Sequence, residues 1–304
     1  MASPVPAEDF AALETEGRNP RTLSLDSLDP QELIALLHSE NRTVLDAVEL
    51  ALPAVTRVVE VVSQRLATGG RLFYVGAGTS GRLGVLDASE CPPTFGVSPD
   101  RVQGIIAGGQ TALTTSIEGA EDSPEMGAQA MRERSTGAKD VVIGIAASGR
   151  TPFVIGAMAA ARRAGAFTVA AVNVSRAAMS EHADVTIAAV TGPEPLTGST
   201  RMKAGTAQKL VLNMLTTATM IRLGKVYSNL MVDVRATNRK LKDRAARIVM
   251  AAADTDRATA DSVLSAADGH VKVAIVMQRL GIGQQEAWDR LEAAGGWVRK
   301  AIEL

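Results

Sequence analysis

Cysteine and histidine are both scarce in this sequence, which limits the chemistry that it can perform. Cys91 is the only cysteine, so the chain can form no internal disulfide and suits a reducing compartment. The three histidines, His38, His182 and His270, lie far apart and in no metal-ligand spacing, so we expect no zinc site. Neither the Walker pattern nor the G-x-S-x-G nucleophile elbow occurs. Any acid–base chemistry is therefore expected to rely on carboxylates.

Long apolar runs and an excess of charge of either sign are also missing. No stretch reaches the ~18 apolar residues that a membrane-spanning helix needs, and the acidic N-terminus does not resemble a signal peptide. The formal net charge of −1 gives no reason to expect a nucleic-acid or membrane partner. The 304 residues, 46% hydrophobic and 21% charged, fit one large core with a small appendage. These features predict a cytoplasmic protein.

Two short turns rich in glycine and hydroxyl side chains are the most informative features present. The first, at 76–81, reads Gly-Ala-Gly-Thr-Ser-Gly and follows the β-forming run 71–75. The second, at 146–152, reads Ala-Ala-Ser-Gly-Arg-Thr-Pro and follows the run 140–145. Each turn opens a helical segment, where unpaired N–H groups and the helix dipole attract anions. Two such turns predict a site for a phosphate monoester, held by hydroxyls and backbone amides.

The first turn also matches G-x-G-x-x-G, a pattern of dinucleotide-binding proteins. Those proteins place an acidic residue after the second strand to bind the ribose, whereas Asp100 precedes the run 102–107 here. This disfavours a nicotinamide or flavin site. A second alternative is that Ser80 and Thr151 only cap helices, and Pro152 suits the first helical position. Capping and ligand binding are compatible, so this alternative stays open.

Alternating strand and helix patterns predict an α/β fold with a doubly wound parallel sheet. Helical periodicity precedes the sheet and stops at residues 69–70, and it returns after residue 229 in segments broken at glycines. We predict a flexible N-terminal segment 1–20, a sugar-phosphate domain 21–228 that includes the N-terminal helices, and a helical region 229–304. Strands are predicted at 71–75, 102–107, 140–146, 167–173 and 184–190, with helices near 80–89, 124–134, 151–164 and 203–223.

Several motifs resemble those of a known family. The two turns look like the phosphate loops of sugar isomerase (SIS) domains. The runs 87–94, 118–123 and 197–207 closely resemble the N-acetylmuramic acid 6-phosphate etherase family, and the likeness extends from about residue 15 to the C-terminus. The resemblance implies a flavodoxin-like SIS domain with N-terminal helices and a small C-terminal bundle similar to a ubiquitin-associated (UBA) domain.

The resemblance also implies an activity. Such enzymes are carbon–oxygen lyases of peptidoglycan amino-sugar recycling, and they cleave the D-lactyl ether of N-acetylmuramic acid 6-phosphate to give N-acetylglucosamine 6-phosphate and D-lactate. The family implies no cofactor and no metal, an amino-sugar phosphate as substrate, and a homodimer. Its two catalytic glutamates correspond to Glu90 and Glu121. The substrate-binding positions that it implies are Gly78, Thr79, Ser80, Ser148, Gly149 and Thr151, with Arg201 and Lys203 as cations for the phosphate or the lactyl carboxylate.

Simpler interpretations of these residues remain open at this point. Glu90 precedes Cys-Pro-Pro and is also compatible with a solvated helix end, while Glu118 or Glu121 could cap the helix near residue 124. Arg201 and Lys203 could be solvated residues at a helix start. An SIS-type sugar-phosphate isomerase or a non-enzymatic sugar-phosphate sensor is the alternative function.

The spacing between Ser80 and Glu90 raises a geometric question. A straight helix would separate the two residues by ~15 Å along its axis, which is too far for a hexose 6-phosphate to bridge from its phosphate to C3. Either the helix breaks before Glu90, or Glu90 serves the site of a second subunit. Which glutamate is the base is also left open by the sequence.

Overall fold

A computed structural model of the chain describes residues 13–234 and 239–304. The described chain forms two compact units, one of residues 13–89 and 100–215 and the other of residues 90–99, 216–234 and 239–304. Residues 1–12 of the predicted flexible segment lie outside the described residues. Leu13, Thr15 and Asn19 are buried in the first unit, so the packed part of the chain begins before residue 21.

Two N-terminal helices lead into the sheet of the first unit. Helix α1 spans Pro30–Glu40 and begins with a capping box, in which the Asp29 side chain accepts from the Glu32 N–H and Glu32 reaches back to Asp29. Helix α2 spans Arg42–Ala67. Its apolar residues recur at helical spacing and form the buried face of the helix: Val44, Ala47, Val48, Ala51, Val55, Val58, Val59, Val62 and Leu66.

The centre of the first unit is a five-stranded parallel sheet in the order β2-β1-β3-β4-β5. The parallel sheet and all five predicted strands are confirmed to within a residue or two at their ends. Strand order reverses between β1 and β3, and ligands of such sheets bind at that point, beyond the carboxyl ends of the strands. The strands are β1 Leu72–Gly76, β2 Val102–Ile106, β3 Val141–Ile145, β4 Phe167–Val172 and β5 Val185–Ala188.

Four helices connect or follow the strands: α3 Gly78–Phe95, α4 Pro124–Glu133, α5 Pro152–Arg163 and α6 Lys203–Arg222. Helix α3 is longer than the predicted 80–89 and continues through Pro92 and Pro93. Proline usually ends a helix because it lacks an N–H and restricts its neighbour. Here Cys91 and Phe95 are buried, and this burial holds the last turn in helical form.

The second unit is mainly a bundle of short helices. A two-stranded antiparallel hairpin, β6 Val226–Tyr227 and β7 Leu230–Met231, precedes them, and it is too short for a sequence pattern to predict. The helices end at glycines as predicted: Gly269, Gly281, Gly295 and Gly296 all have φ between +62° and +81°, which favours glycine. The helices are α7 Arg239–Ala253, α8 Arg257–Ala266, α9 Val271–Leu280, α10 Gln284–Ala293 and α11 Val298–Glu303.

The bundle has its own apolar core, to which Ile248, Val249, Ile275 and Leu291 contribute. Residues 235–238 of the predicted helical region 229–304 lie outside the described residues. No helix in the two described ranges is both long enough and apolar enough to cross a bilayer.

Candidate active site

The two predicted phosphate loops lie side by side at one edge of the sheet. Gly76 at the end of β1 pairs with Ile145 at the end of β3, so both loops leave neighbouring strands in the same direction. A Cβ at Gly76 would lie 2.6 Å from the backbone nitrogen of Gly81, and Gly78 has φ +51°. The glycines of the first loop therefore permit a tight strand-to-helix turn, whose helix α3 begins at Gly78.

Ser80 occupies the first turn of α3, with its hydroxyl bound inside the protein. Its Oγ donates to Gln208 Oε1 at 2.9 Å, Gln208 Nε2 donates to Asn173 Oδ1 at 2.9 Å, and Asn173 Nδ2 donates to the Ala189 carbonyl at 2.9 Å. A carbonyl can only accept, so Ala189 determines which end of each amide donates. Ser80 consequently has to be the donor to Gln208. The hydroxyl makes this bond, and Ser80, as the third residue of α3, is not the helix cap.

The second loop leads into α5 and leaves one hydroxyl without an internal partner. Thr151 is the N-cap residue and Pro152 the first helical residue, but the Thr151 side chain makes no capping hydrogen bond. Within the described residues, its hydroxyl has no hydrogen-bond partner. Ser148 Oγ accepts from the Arg150 N–H at 3.3 Å. Gly149 has φ +65°, and a Cβ there would lie 2.3 Å from Cβ of Ala177, so glycine is needed in this turn.

Thr79, the remaining hydroxyl of the first loop, is half-buried. A Cβ added at Gly205, in the first turn of α6, would lie 3.4 Å from the Thr79 methyl group. The α6 N-terminus is already occupied by the buried carboxylate of Glu194, which accepts from the N–H groups of Lys203 at 2.8 Å and Ala204 at 2.9 Å. Burial raises the pKa of Glu194. Because Glu194 fills this end of α6, the helix does not provide a third anion site.

Glu121 lines a cavity of about 260 Å³ beside the first loop, together with Gly78, Arg82 and Glu118. Both glutamates are exposed. The Glu121 carbonyl accepts from the Phe153 N–H at 2.9 Å, which fixes its backbone to the first turn of α5. The backbone of Glu121 is thereby attached to α5, the helix that follows the second loop, while Glu121 lines the cavity beside the first loop.

Helix α4, which follows Glu121, is capped by another residue. Ser123 is its N-cap, and Ser123 Oγ accepts from the Met126 N–H at 3.2 Å. The alternative that Glu118 or Glu121 caps this helix is therefore wrong. Glycines bring α4 close to α5: a Cβ at Gly127 would lie 1.8 Å from the Phe153 carbonyl oxygen. This close packing fixes the position of the turn that carries Glu121.

Glu90 lies on α3 and is exposed. The helix is unbroken from Gly78 to Phe95, so Glu90 lies ~15 Å along the axis from Ser80 at 1.5 Å per residue. Glu90 is not among the residues that line the cavity beside Glu121. The alternative that α3 breaks before Glu90 is wrong, and so is the suggestion that the helix ends there.

Lys203 is buried, which differs from its predicted role as a cation facing the substrate. Its side chain is 1% exposed, and its Nζ lies 3.3 Å from Glu40 Oε2. Glu40 also accepts from Arg21 Nε at 2.6 Å and from Asn19 Nδ2 at 2.7 Å. The hydrogen bond from Arg21 is the main cause that lowers the pKa of Glu40 to about 2. Lys203 therefore anchors α6 to the N-terminal helices, whereas Arg201 is exposed.

A larger cavity, of about 1070 Å³, lies in the second unit. It holds Asp233 between Lys225, at 3.1 Å, and Lys272, at 2.7 Å, and burial lowers the pKa of Lys272. None of the predicted site residues lines it. Across the described parts of the chain, no cluster of three or more His, Cys, Asp or Glu side chains could hold a metal ion.

Two residues of the site were not singled out from the sequence. Arg82 directly follows the first loop, so the sequence could have predicted that it lies in the first turns of α3. The sequence could not have predicted that it shares a cavity with Glu121. Gln208 lies 128 residues from Ser80 in the chain, and no local pattern connects them.

Comparison with known proteins gives relatives over nearly the whole chain. The family model of the glucokinase regulatory protein N-terminal SIS domain matches residues 54–162. An N-acetylmuramic acid 6-phosphate etherase from Mycolicibacterium smegmatis is 55% identical over 97% of this chain and 99% of its own. One from Geobacillus sp. (strain WCH70) is 53% identical over 96% of this chain and 99% of its own.

The solved structures to which this chain is similar include the phosphoheptose isomerase GmhA from Neisseria gonorrhoeae. It has a TM-score of 0.47 and 17% sequence identity, with 63% of this chain and 98% of that chain covered. The identity of more than half of all residues to the etherases, over nearly full length, is decisive for the family. This chain belongs to the N-acetylmuramic acid 6-phosphate etherase family.

Proposed function

We propose that this protein cleaves the D-lactyl ether of N-acetylmuramic acid 6-phosphate with water, giving N-acetylglucosamine 6-phosphate and D-lactate. The reaction would be a cytoplasmic step in the recycling of peptidoglycan amino sugars. The relatives' names supply the substrate. The structural observation that carries the proposal is the cavity in which Glu121 lies beside the first phosphate loop.

The substrate dictates what the side chains have to do. An ether oxygen at C3 is a poor leaving group, but opening of the sugar ring exposes the C1 aldehyde, which acidifies the proton on C2. A carboxylate removes that proton while a carboxylic acid protonates the departing lactyl oxygen. Water then adds across the double bond of the unsaturated aldehyde: its oxygen forms the C3 hydroxyl, and a proton returns to C2. Each proton transfer contributes roughly 10²–10⁴-fold, and the two carboxyl groups need opposite protonation states.

The phosphate would bind at the adjacent N-termini of α3 and α5, where backbone N–H groups are available. Thr151 suits this role because its hydroxyl has no partner within the described residues, and Gly78 and Gly149 let the backbone turn toward the anion. Ser148 and Thr79 would complete the cradle. Glu121 would be one of the two acid–base groups, which exchange protons with C2 and with the lactyl oxygen on C3.

Glu90 would be the second acid–base group, contributed by the other subunit of a homodimer. The support is the continuity of α3: a rigid helix keeps Glu90 ~15 Å from the loop at its own N-terminus. A hexose 6-phosphate does not span that distance between its phosphate and C3. A symmetric dimer would supply two such sites, each with Glu121 from one chain and Glu90 from its partner.

The activity is tested by incubating the protein with N-acetylmuramic acid 6-phosphate and assaying D-lactate. Release of D-lactate with N-acetylglucosamine 6-phosphate is expected. Conversion of an aldose phosphate to a ketose phosphate without lactate would support the isomerase alternative. Binding without any turnover would support a sensor.

Mixing two inactive variants tests the shared site. Glu90→Gln and Glu121→Gln subunits, exchanged after partial denaturation, should form roughly half mixed dimers, each with one complete site, and so restore about a quarter of wild-type activity. Differently tagged subunits allow the mixed dimer to be purified. Absence of activity in that purified mixed dimer would mean that both glutamates act within one chain.

A further inference from the structure

Arg82 is the one cation among the described residues that line the cavity beside Glu121. Glu118 and Glu121 line the same cavity, so the acidic side chains outnumber the basic one. A ligand carboxylate entering this space would meet two carboxyl groups and a single positive charge. Like charges at close range repel, whereas an opposite charge within a few ångströms favours binding.

The guanidinium of Arg82 is held in place by one bond and has donors left over. Arg82 Nε donates to the Leu113 carbonyl at 3.1 Å, and the side chain is half-buried. Within the described residues, its two terminal nitrogens make no hydrogen bond and no ion pair. An anchored guanidinium with two parallel free N–H groups has the geometry that binds a carboxylate at two points.

The proposed substrate carries two anionic groups, and only one of them has a site so far. The adjacent helix N-termini would bind the 6-phosphate. The lactyl carboxylate, attached through the ether that breaks, still requires a cation close to Glu121. Lys203 is not available, because its ammonium group is buried against Glu40, and Arg201 is not among the residues that line the cavity.

The geometry points to Arg82 as the residue that binds the carboxylate of the D-lactyl group and thereby distinguishes substrate from product. This inference rests on the proposed function. The Nη1 and Nη2 atoms donate to the two carboxylate oxygens, which holds the ether oxygen at the cavity that Glu121 lines. N-acetylglucosamine 6-phosphate has the same phosphate but no lactyl group, so it gains nothing from Arg82.

Binding measurements separate this role from phosphate binding. In a Glu121→Gln background, which is meant to keep the substrate intact, Arg82→Gln should weaken N-acetylmuramic acid 6-phosphate binding about 10- to 100-fold, since a hydrogen bond to a charged group is lost. The dissociation constant of N-acetylglucosamine 6-phosphate should not change. Arg82→Lys should lie between the two, because lysine keeps the charge but not the two-point geometry.

Arg132→Gln is the matched control, since Arg132 is an exposed cation on α4 whose guanidinium contacts Gln129. It should leave both affinities at their starting values. An equal loss of affinity for substrate and product in Arg82→Gln would overturn the inference and assign Arg82 to the phosphate. Unchanged affinity for both would also overturn it.

The proposed function can fail separately. If the wild-type protein releases no D-lactate, the etherase activity is wrong, and the two sugar phosphates can then be compared directly on wild-type and Arg82→Gln proteins. Unchanged product affinity also serves as the fold check for the Arg82 variants, together with an unchanged melting temperature.

Discussion

Ser80 donates its hydroxyl proton to Gln208 over 2.9 Å, and the Ala189 carbonyl at the far end of the same chain of amides fixes that direction. The contact joins the first turn of α3 to α6. Thr151, at the start of α5, makes no comparable bond within the described residues. Of two hydroxyls that the sequence assigns to the same phosphate, one is therefore bonded inside the protein and the other is not.

Ser80→Ala is expected to lower stability. Removing the hydroxyl leaves Gln208 Oε1 buried without a donor, which costs about 1–3 kcal/mol of the free energy of unfolding. Urea denaturation measures the loss. Ser89→Ala is the control, since Ser89 is an exposed residue of the same helix whose hydroxyl bonds only to the Leu86 carbonyl. A raised KM with unchanged stability would instead assign the Ser80 hydroxyl to the phosphate.

Thr151→Val should give the opposite result. Valine keeps the shape and the branched Cβ but removes the hydroxyl, so a hydrogen bond of ~1.5–3 kcal/mol to the phosphate is lost and KM rises roughly 10- to 100-fold. The free energy of unfolding should stay within about 0.5 kcal/mol of wild type. A destabilised variant with an unaltered KM would show that the residue acts as a helix cap.

Glu121→Gln should abolish most D-lactate release while the protein still binds N-acetylglucosamine 6-phosphate, because the amide cannot exchange a proton with the substrate. Glu125→Gln is the matched control: Glu125 is exposed, lies four residues further on, and accepts from the Ser123 hydroxyl at 3.1 Å. Near wild-type turnover by Glu121→Gln would exclude it as an acid–base group and leave Glu118 as the cavity's remaining carboxylate.

Glu40 should make stability depend on pH in the acid range. Its pKa is about 2 in the folded protein and 4.5 without these partners, so its ionised form favours folding. This contribution is complete above about pH 4.5 and is lost as the pH falls toward 2. The difference in unfolding free energy between wild type and Glu40→Gln, measured from pH 7 down to pH 3, should shrink on acidification.

The same cluster predicts that variants of Glu40 and Lys203 differ in stability. Lys203→Met leaves Glu40 with Arg21 and Asn19, whereas Glu40→Gln removes the carboxylate in direct contact with the buried Lys203 ammonium. Breaking a buried ion pair in this way costs roughly 3–5 kcal/mol, so Glu40→Gln should be the more destabilised of the two. A raised KM in Lys203→Met with little change in its free energy of unfolding would restore the substrate-binding role predicted from the sequence.

The sequence by itself determined most elements of the first unit. Alternating apolar runs and turns located all five strands of the parallel sheet, because each strand of a covered parallel sheet is a short continuous apolar segment, but they did not locate the two-residue strands β6 and β7. Glycines such as Gly269 and Gly281 marked helix ends, since a positive φ is a local property of the backbone. The two loops predicted to bind phosphate were recognisable for the same reason: each is a contiguous strand–turn–helix.

Only the tertiary structure decided which of these elements act together. The strand order places the loops after β1 and β3 side by side, although 64 residues separate β1 from β3. Lys203 pairs with Glu40, although 163 positions separate them in the chain. Burial of Cys91 and Phe95 keeps α3 helical through two prolines. Contacts of this kind depend on which surfaces exclude water from one another in the folded chain, and no periodicity along the sequence records them.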